Sequence, residues 1–289
     1  MYRGPPVCRD RTVLARISGA ALRGIMVALL VATPSLLLPS YTSDATEMVA
    51  LLALLAGVLT FAEYNTAFPS FIEFRDAPPL NRIRFVSLFA MFLILTEIAR
   101  YTYEPTSLNR TLAGIGVMIG AWTDFPYSPV RLAVLMLPPS SADFTVTAVR
   151  TAAGVTYLIS IATILAFVAA VKVFGWPISR GPFNVWTNLP LFDPTAGGDV
   201  VERLQRDGKI NIIAGFLLPF AIPAIIKIVS LVVRPITLDD PQTVIWVMSG
   251  WAFLPASMIM RGIAMMRIGD LIEEKRRRVH ASAEAMQTT

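Results

Sequence analysis

Two charged residues stand inside apolar stretches of the chain, where an ionised side chain is costly. Glu97 lies in the stretch 85–103 and Lys227 in the stretch 210–233. In segments that cross a membrane, such residues pair with one another, bind ions or relay protons. One hypothesis is that Glu97 and Lys227 pair inside a helix bundle, because mutual neutralisation lowers the cost of burial. In the alternative, Lys227 reaches the lipid headgroups along its own stem, and Glu97 holds Arg100.

Glu63 and Lys172 form a second candidate pair, because both lie near the same end of their apolar stretches. The same argument from neutralisation applies to them. The alternative is that both side chains are solvated at the membrane surface. We favour this alternative for Glu63 and Lys172.

A third set of charges lies in the connecting segment 73–84. An enzyme that acts on lipid headgroups needs carboxylates and arginines together at the membrane surface. A structural loop that folds over the end of a helix bundle uses the same residue types in mutual salt bridges, and this is the commoner use. The residues are Glu73, Arg75, Asp76, Arg82 and Arg84.

Several kinds of active site are excluded by what the chain lacks. Cys8 is the only cysteine and His280 the only histidine, so an intrachain disulfide, a Cys/His zinc site and bis-histidine haem ligation are impossible. No phosphate-binding glycine loop of the P-loop type occurs. The aspartates fall in polar or ambiguous segments, which argues against an intramembrane aspartyl dyad. We therefore expect no catalytic residue, no metal and no cofactor.

Composition indicates a polytopic membrane protein. Hydrophobic residues make up 55% of the 289 residues and charged residues 16%, and the mean hydropathy is +0.61. Soluble globular proteins are less apolar. The net charge of +5 is spread over the connecting segments, so we expect the lipid bilayer as a partner and no nucleic acid. No repeat or linker divides the chain, which predicts a single domain over residues 1–289.

The predicted fold is an all-α membrane bundle of about six transmembrane helices. The stretch 210–233 rises about 36 Å as a helix, enough to cross a hydrocarbon core of about 30 Å. Segment 112–139 contains two short apolar runs and is predicted as a re-entrant or interfacial hairpin, with two distorted crossings as the alternative. A signal peptide is the alternative for the first span. The predicted spans are 24–39, 48–68, 85–103, 152–174, 210–233 and 243–260.

Two further helices are predicted outside the spans. Segment 199–208 is predicted as a short surface helix, with Asp199 as its N-cap and Gly208 at its C-terminal end. Segment 261–289 forms a helical tail that continues the last span. We expect segments 199–208 and 261–280 to be surfaces for other membrane subunits. Gly116 and Gly120 have a spacing that permits close helix contact. The tryptophans are expected at the membrane interface; they are Trp122, Trp176, Trp186, Trp246 and Trp251.

The distribution of cations predicts that both termini are cytoplasmic. Most of the 25 lysines and arginines lie in the N-terminal segment, the C-terminal tail and the loops on the same side, as the positive-inside rule requires. Arginine greatly outnumbers lysine, which indicates a bacterial source, and the predicted location is the bacterial inner membrane. The other side holds only Arg100, Arg110, Arg131, Arg150 and Arg234.

Three functions remain compatible with the sequence. The first is an accessory, assembly or structural component of a membrane complex, which needs no catalytic residues. The second is a small transporter or channel, because Pro219, Pro223 and Lys227 share one helix face and interrupted helices form midplane sites in transporters. The third is a lipid-modifying enzyme that uses the 73–84 loop. We favour the first.

Overall fold

A computed structural model describes residues 7–39, 43–66, 70–177, 188–192, 197–230, 232 and 238–287. All regular structure in these ranges is helical. Trp186 and the last residues of the predicted spans 48–68 and 210–233 lie outside them. The helices are α1 (Val7–Leu37), α2 (Ser43–Asn65), α3 (Leu80–Arg100), α4 (Ser107–Thr123), α5 (Pro129–Leu135), α6 (Asp143–Lys172), α7 (Val200–Val229) and α8 (Pro241–Gln287).

Five of these helices, α1, α2, α6, α7 and α8, are long and apolar enough to cross a membrane. Helix α3 lies on the third predicted span but is not among the five, because Arg82, Arg84, Glu97 and Arg100 stand near its two ends. The helices agree with a polytopic membrane protein. The sixth crossing stays a prediction.

One end of the bundle, here called the Tyr101 end, joins α1, α3, α6 and α8. Gln242 at the start of α8 donates a hydrogen bond to Ser35 near the end of α1. Thr145 in the first turn of α6 donates to Asp239, just before α8, at 3.0 Å. Helices α1 and α3 therefore end where α6 and α8 begin.

The opposite end, here called the Trp176 end, joins the loop before α3 to the ends of α6 and α8. The indole Nε1 of Trp176 donates to the Ala77 carbonyl at 3.1 Å, and Arg267 donates to the Trp176 carbonyl at 3.2 Å. Arg276 of α8 pairs with Asp199 before α7 at 2.8 Å. Helix α1 begins and α8 ends at this end of the bundle.

Trp176 and Trp251 are buried, 0% and 5% exposed, so the prediction that they anchor the membrane interface is wrong. Trp251 instead compensates a proline in α7. Pro223 has no N–H and leaves the carbonyl four residues earlier without its helical donor. That carbonyl belongs to Pro219, and the Trp251 indole donates to it at 3.1 Å.

Helices α7 and α8 approach closely through glycines. A Cβ built on Gly262 would lie 2.5 Å from the Gly208 carbonyl oxygen, and one on Gly215 would lie 2.7 Å from the Pro255 carbonyl oxygen. Gly208 was predicted to end a short surface helix. The structure corrects this prediction: α7 continues from Val200 to Val229, and Gly208 provides a contact with α8. The N-cap prediction for Asp199 is confirmed, because its side chain accepts a bond from the Val201 N–H.

Close contacts at glycines also hold α4 against α6 and α1 against α2. A Cβ on Gly154 would lie 2.7 Å from Gly120 Cα, and a Cβ on Gly24 would lie 2.7 Å from the Gly57 carbonyl oxygen. Gly116 also packs tightly, against Ile98 and Thr151. Since Cβ atoms do not tolerate such distances to backbone atoms, the contacts at Gly154 and Gly24 require glycine.

Two hydrophobic clusters form the core. One lies between α3, α5, α6 and α8 and contains Met91, Leu95 and Met248. The other closes the Trp176 end, where Phe74 from the connecting loop packs beside Trp176 with ring centroids 5.8 Å apart. Helix α2 contributes to neither cluster, and among the described helices it contacts only α1.

Candidate functional site

A cavity of about 1490 Å³ opens at the Tyr101 end between α3, α4, α6, α8 and the end of α1. This volume exceeds the range of about 300–1,000 Å³ that is common for small-molecule sites. Its walls are mainly apolar. They include Leu95, Ile98, Ala113, Val117, Ala148 and Ile245.

Helix α4 forms one wall of the cavity. Helix α4 begins with a capping box in which Thr106 and Asn109 exchange side-chain and backbone bonds. Near its other end it touches α6 through Gly120. Gly114 lines the cavity, and a Cβ there would meet no atom within 4 Å. Helix α4 is therefore fixed at its glycine contact and leaves open space at Gly114.

Two ion pairs that share a buried carboxylate hold α4 and α5 in this position. The Asp124 carboxylate follows α4 and is 5% exposed. It lies 2.8 Å from Arg131 of α5 and 2.8 Å from Arg150 of α6. One carboxylate thus joins three helices. Helices α4 and α5 occupy the segment predicted as a hairpin and pack on the first half of α6.

The mouth of the cavity carries charges of both signs. Asp240 accepts bonds from the backbone and hydroxyl of Thr243 at 2.7 and 2.8 Å, so it caps α8. Arg110 and Asp143 are exposed on the lining, and within the described ranges neither forms an ion pair. With Asp239, the mouth presents three carboxylates and one guanidinium.

The structure gives Glu97 and Lys227 different partners. The Glu97 carboxylate lies 3.2 Å from Arg100, while the Lys227 ammonium donates to the Leu137 carbonyl at 3.1 Å. No ion pair joins Glu97 to Lys227 in the part of the chain that the structure describes. Neither side chain lines the cavity.

Glu63 and Lys172 are also separate. The Glu63 carboxylate is buried and accepts three backbone bonds, from Ser70, Phe71 and Ile72, at 2.6 to 3.0 Å. It therefore shapes the loop that follows α2. Lys172 is exposed in the last turn of α6.

The five charges of the 73–84 segment face different neighbours. Glu73 forms a two-bond ion pair with Arg261 of α8, at 2.5 and 2.8 Å. Arg84 donates to the Ser257 carbonyl of the same helix at 2.9 Å. Arg75 donates to two carbonyls at the end of α2 and lies 3.4 Å from Asp76, whereas Arg82 is exposed. The described side chains fasten the loop to the bundle.

The two segments predicted as docking surfaces pack partly on each other. Leu204 of α7 and Ala264 of α8 are each 0% exposed. The hydrogen bond from Arg276 and the Val201 N–H lower the pKa of Asp199, because both favour its ionised form. Residues 275–284 of α8 remain exposed.

Sequence reasoning missed the residues at the cavity mouth. Asp143, Asp239 and Asp240 stand at helix starts, a position typical of capping, so their types gave no sign of a shared opening. Within the described residues, no group of three His, Cys, Asp or Glu side chains is placed to hold a metal ion. No protein-family model, curated protein or solved structure matches the chain.

Proposed function

We propose that this chain is a non-catalytic membrane protein that binds an amphipathic ligand in the Tyr101-end cavity. The cavity itself carries the proposal: it is large, apolar along its walls and polar at its mouth. An amphiphile matches this pattern, since its chains bury apolar surface while its head group stays at the opening. The five long apolar helices support a location in a membrane, where such ligands are found.

The charges at the mouth favour a zwitterionic head group. An amine placed toward Asp143, Asp239 and Asp240 would meet carboxylates, and a phosphate placed toward Arg110 would meet a guanidinium. A purely anionic head group would face three like charges. The ligand class we propose is therefore a phospholipid-like molecule with both an amine and a phosphate.

The chain would act as an accessory component of a bacterial inner-membrane assembly, with six crossings and both termini in the cytoplasm. The positive-inside distribution supports this orientation, and so does the common end shared by the start of α1 and the end of α8. The exposed stretch 275–284 of α8 is the surface we propose for another subunit. Transport through a site at Glu97 and Lys227 has less support, because neither residue lines the cavity.

Filling the cavity tests the proposal. Gly114→Phe places a large side chain in the open space, whereas Gly250→Phe makes the same change at an α8 glycine that also has free space but does not line the cavity. Native mass spectrometry of protein purified in mild detergent measures the bound phospholipid. We expect Gly114→Phe to weaken retention at least about ten-fold, or ~1.4 kcal/mol, and Gly250→Phe to retain it.

Two results would contradict the proposal. Wild-type protein that carries no phospholipid after mild purification would show that the cavity is empty or filled by detergent alone. Equal retention by wild type and Gly114→Phe would place the bound lipid elsewhere on the protein.

A further inference from the structure

A second, smaller cavity lies at the Trp176 end and is distinct from the site above. It is an open cavity of about 310 Å³, lined by α1, the end of α2 and the following loop. Arg16 and Arg23 come from α1, Tyr64 from α2 and Arg75 from the loop. Gly19, Thr66 and Asp76 also line the cavity.

The opening lies near the crossing of α1 and α2. The two helices touch at Gly24 and Gly57, and the residues that line the opening lie on the Trp176 side of this contact. Arg75 enters the gap and is fixed by donating to the carbonyls of Glu63 and Thr66, at 2.8 and 2.9 Å. Its side chain is only 9% exposed. A guanidinium is thus held in place at the base of the cavity.

Positive charge dominates the lining. Arg23 lies over the Tyr64 ring, 4.7 Å from its centroid, and donates to the Gly19 carbonyl at 2.8 Å. These neighbours orient the guanidinium without neutralising it. No carboxylate pairs with Arg16 or Arg23 among the described side chains, so three cations face one acid, Asp76.

The surroundings of the cavity are those of a membrane surface. Leu14, Leu22 and Ile25 on α1 are 66%, 60% and 58% exposed, so the helix that carries Arg16 and Arg23 also presents apolar surface that acyl chains can cover. Basic cavities between membrane helices bind anionic head groups. Arginine also suits phosphate in particular, because its planar fork can donate two parallel hydrogen bonds.

We propose that Arg16, Arg23 and Arg75 form a binding site for a phosphate group with net negative charge. The same chemistry has two sources, the head group of an anionic phospholipid and free inorganic phosphate. The exposed apolar surface elsewhere on α1 is the feature that favours the lipid, because it would hold this helix against acyl chains. This proposal does not depend on the ligand of the Tyr101-end cavity, whose lining shares no residue with this one.

The test compares lipids that differ only in head group. Full-length protein is delipidated in mild detergent and titrated with phosphatidylglycerol or phosphatidylcholine of identical acyl chains, and native mass spectrometry gives the affinity for each. Arg16→Gln and the double variant Arg16→Gln/Arg23→Gln remove cations from the lining. Arg82→Gln is the matched control, since Arg82 is an exposed arginine of α3 outside this cavity.

We expect tighter binding of phosphatidylglycerol than of phosphatidylcholine. The affinity for phosphatidylglycerol should fall about five-fold for each arginine removed, with no change in Arg82→Gln. Arg16→Gln keeps the test valid if the double variant misfolds, because Arg16 has no described structural partner. Equal affinities for the two lipids, or wild-type affinity in folded Arg16→Gln, would overturn the proposal.

An inorganic phosphate arm distinguishes the two sources. If phosphate alone raises the melting temperature of delipidated wild type, and Arg16→Gln removes the effect, the site binds the free anion. If phosphatidylglycerol stabilises the protein and inorganic phosphate does not, the lipid head group is the ligand. If neither does, the site is not a phosphate site.

Discussion

Glu73 shows how a loop residue can secure a helix far along the chain. Its side chain is 7% exposed and makes two bonds to Arg261, which is 26% exposed. Removing one partner of such a pair leaves the other half-buried and unpaired. The cost of that desolvated charge is larger than the net value of the pair.

We predict that Glu73→Gln lowers the free energy of unfolding by about 2–3 kcal/mol. The exposed pair Glu274–Arg278 is the control, and Glu274→Gln should cost less than about 0.5 kcal/mol. Thermal unfolding in detergent micelles measures both changes. Equal effects from Glu73→Gln and Glu274→Gln would show that burial of the Glu73 pair is unimportant.

The sequence shows which charged residues the 73–84 loop contains, but it does not show which residues they pair with. Mutual salt bridges were expected within the segment, and one close pair, Arg75 with Asp76, lies there. Glu73 instead pairs with α8, and Glu63 accepts backbone bonds from its own following loop. The partner of Glu73 is 188 residues away in the chain and depends on how the helices pack, which local pattern does not encode.

At the scale of helices, glycine determines which pairs are close. Hydropathy predicted where the long helices lie, because a span needs a continuous apolar stretch. It did not predict which helices touch, and the glycine at position 208 was assigned to a helix end. The cavity was missed for the same reason, since it lies between helices whose packing hydropathy does not predict.

Gly262→Ala and Gly250→Ala should have opposite effects on stability. A methyl group at Gly262 would lie 2.5 Å from the Gly208 carbonyl oxygen and force α7 and α8 apart, whereas Gly250 has open space. We expect Gly262→Ala to lower the unfolding free energy by about 1–3 kcal/mol. Gly250→Ala should raise it by about 0.5–1 kcal/mol through helix propensity. Unfolding midpoints in detergent test the signs, and stabilisation by both changes would refute the close contact.

In the molecule as a whole, the start of α1 and the end of α8 lie at the same end, the Trp176 end. We predict that tags fused to the two termini are both protected from protease in right-side-out membrane vesicles. In a Cys8→Ser background, Ser141→Cys at the other end should react with a membrane-impermeant thiol reagent from outside. Termini on opposite faces would exclude the six-crossing topology.

Helix α2 packs on only one other described helix, and this has a consequence for how the protein responds to bilayer thickness. A helix of 23 residues rises about 34 Å, and a helix longer than the local hydrocarbon layer tilts to reduce mismatch. Only α1 restrains α2 among the described helices, through the Gly24–Gly57 crossing. In thinner membranes we therefore expect the Ser43 end of α2 to move about that crossing, while Glu63 and Arg75 keep the other end bonded to the following loop and the rest of the bundle keeps its shape.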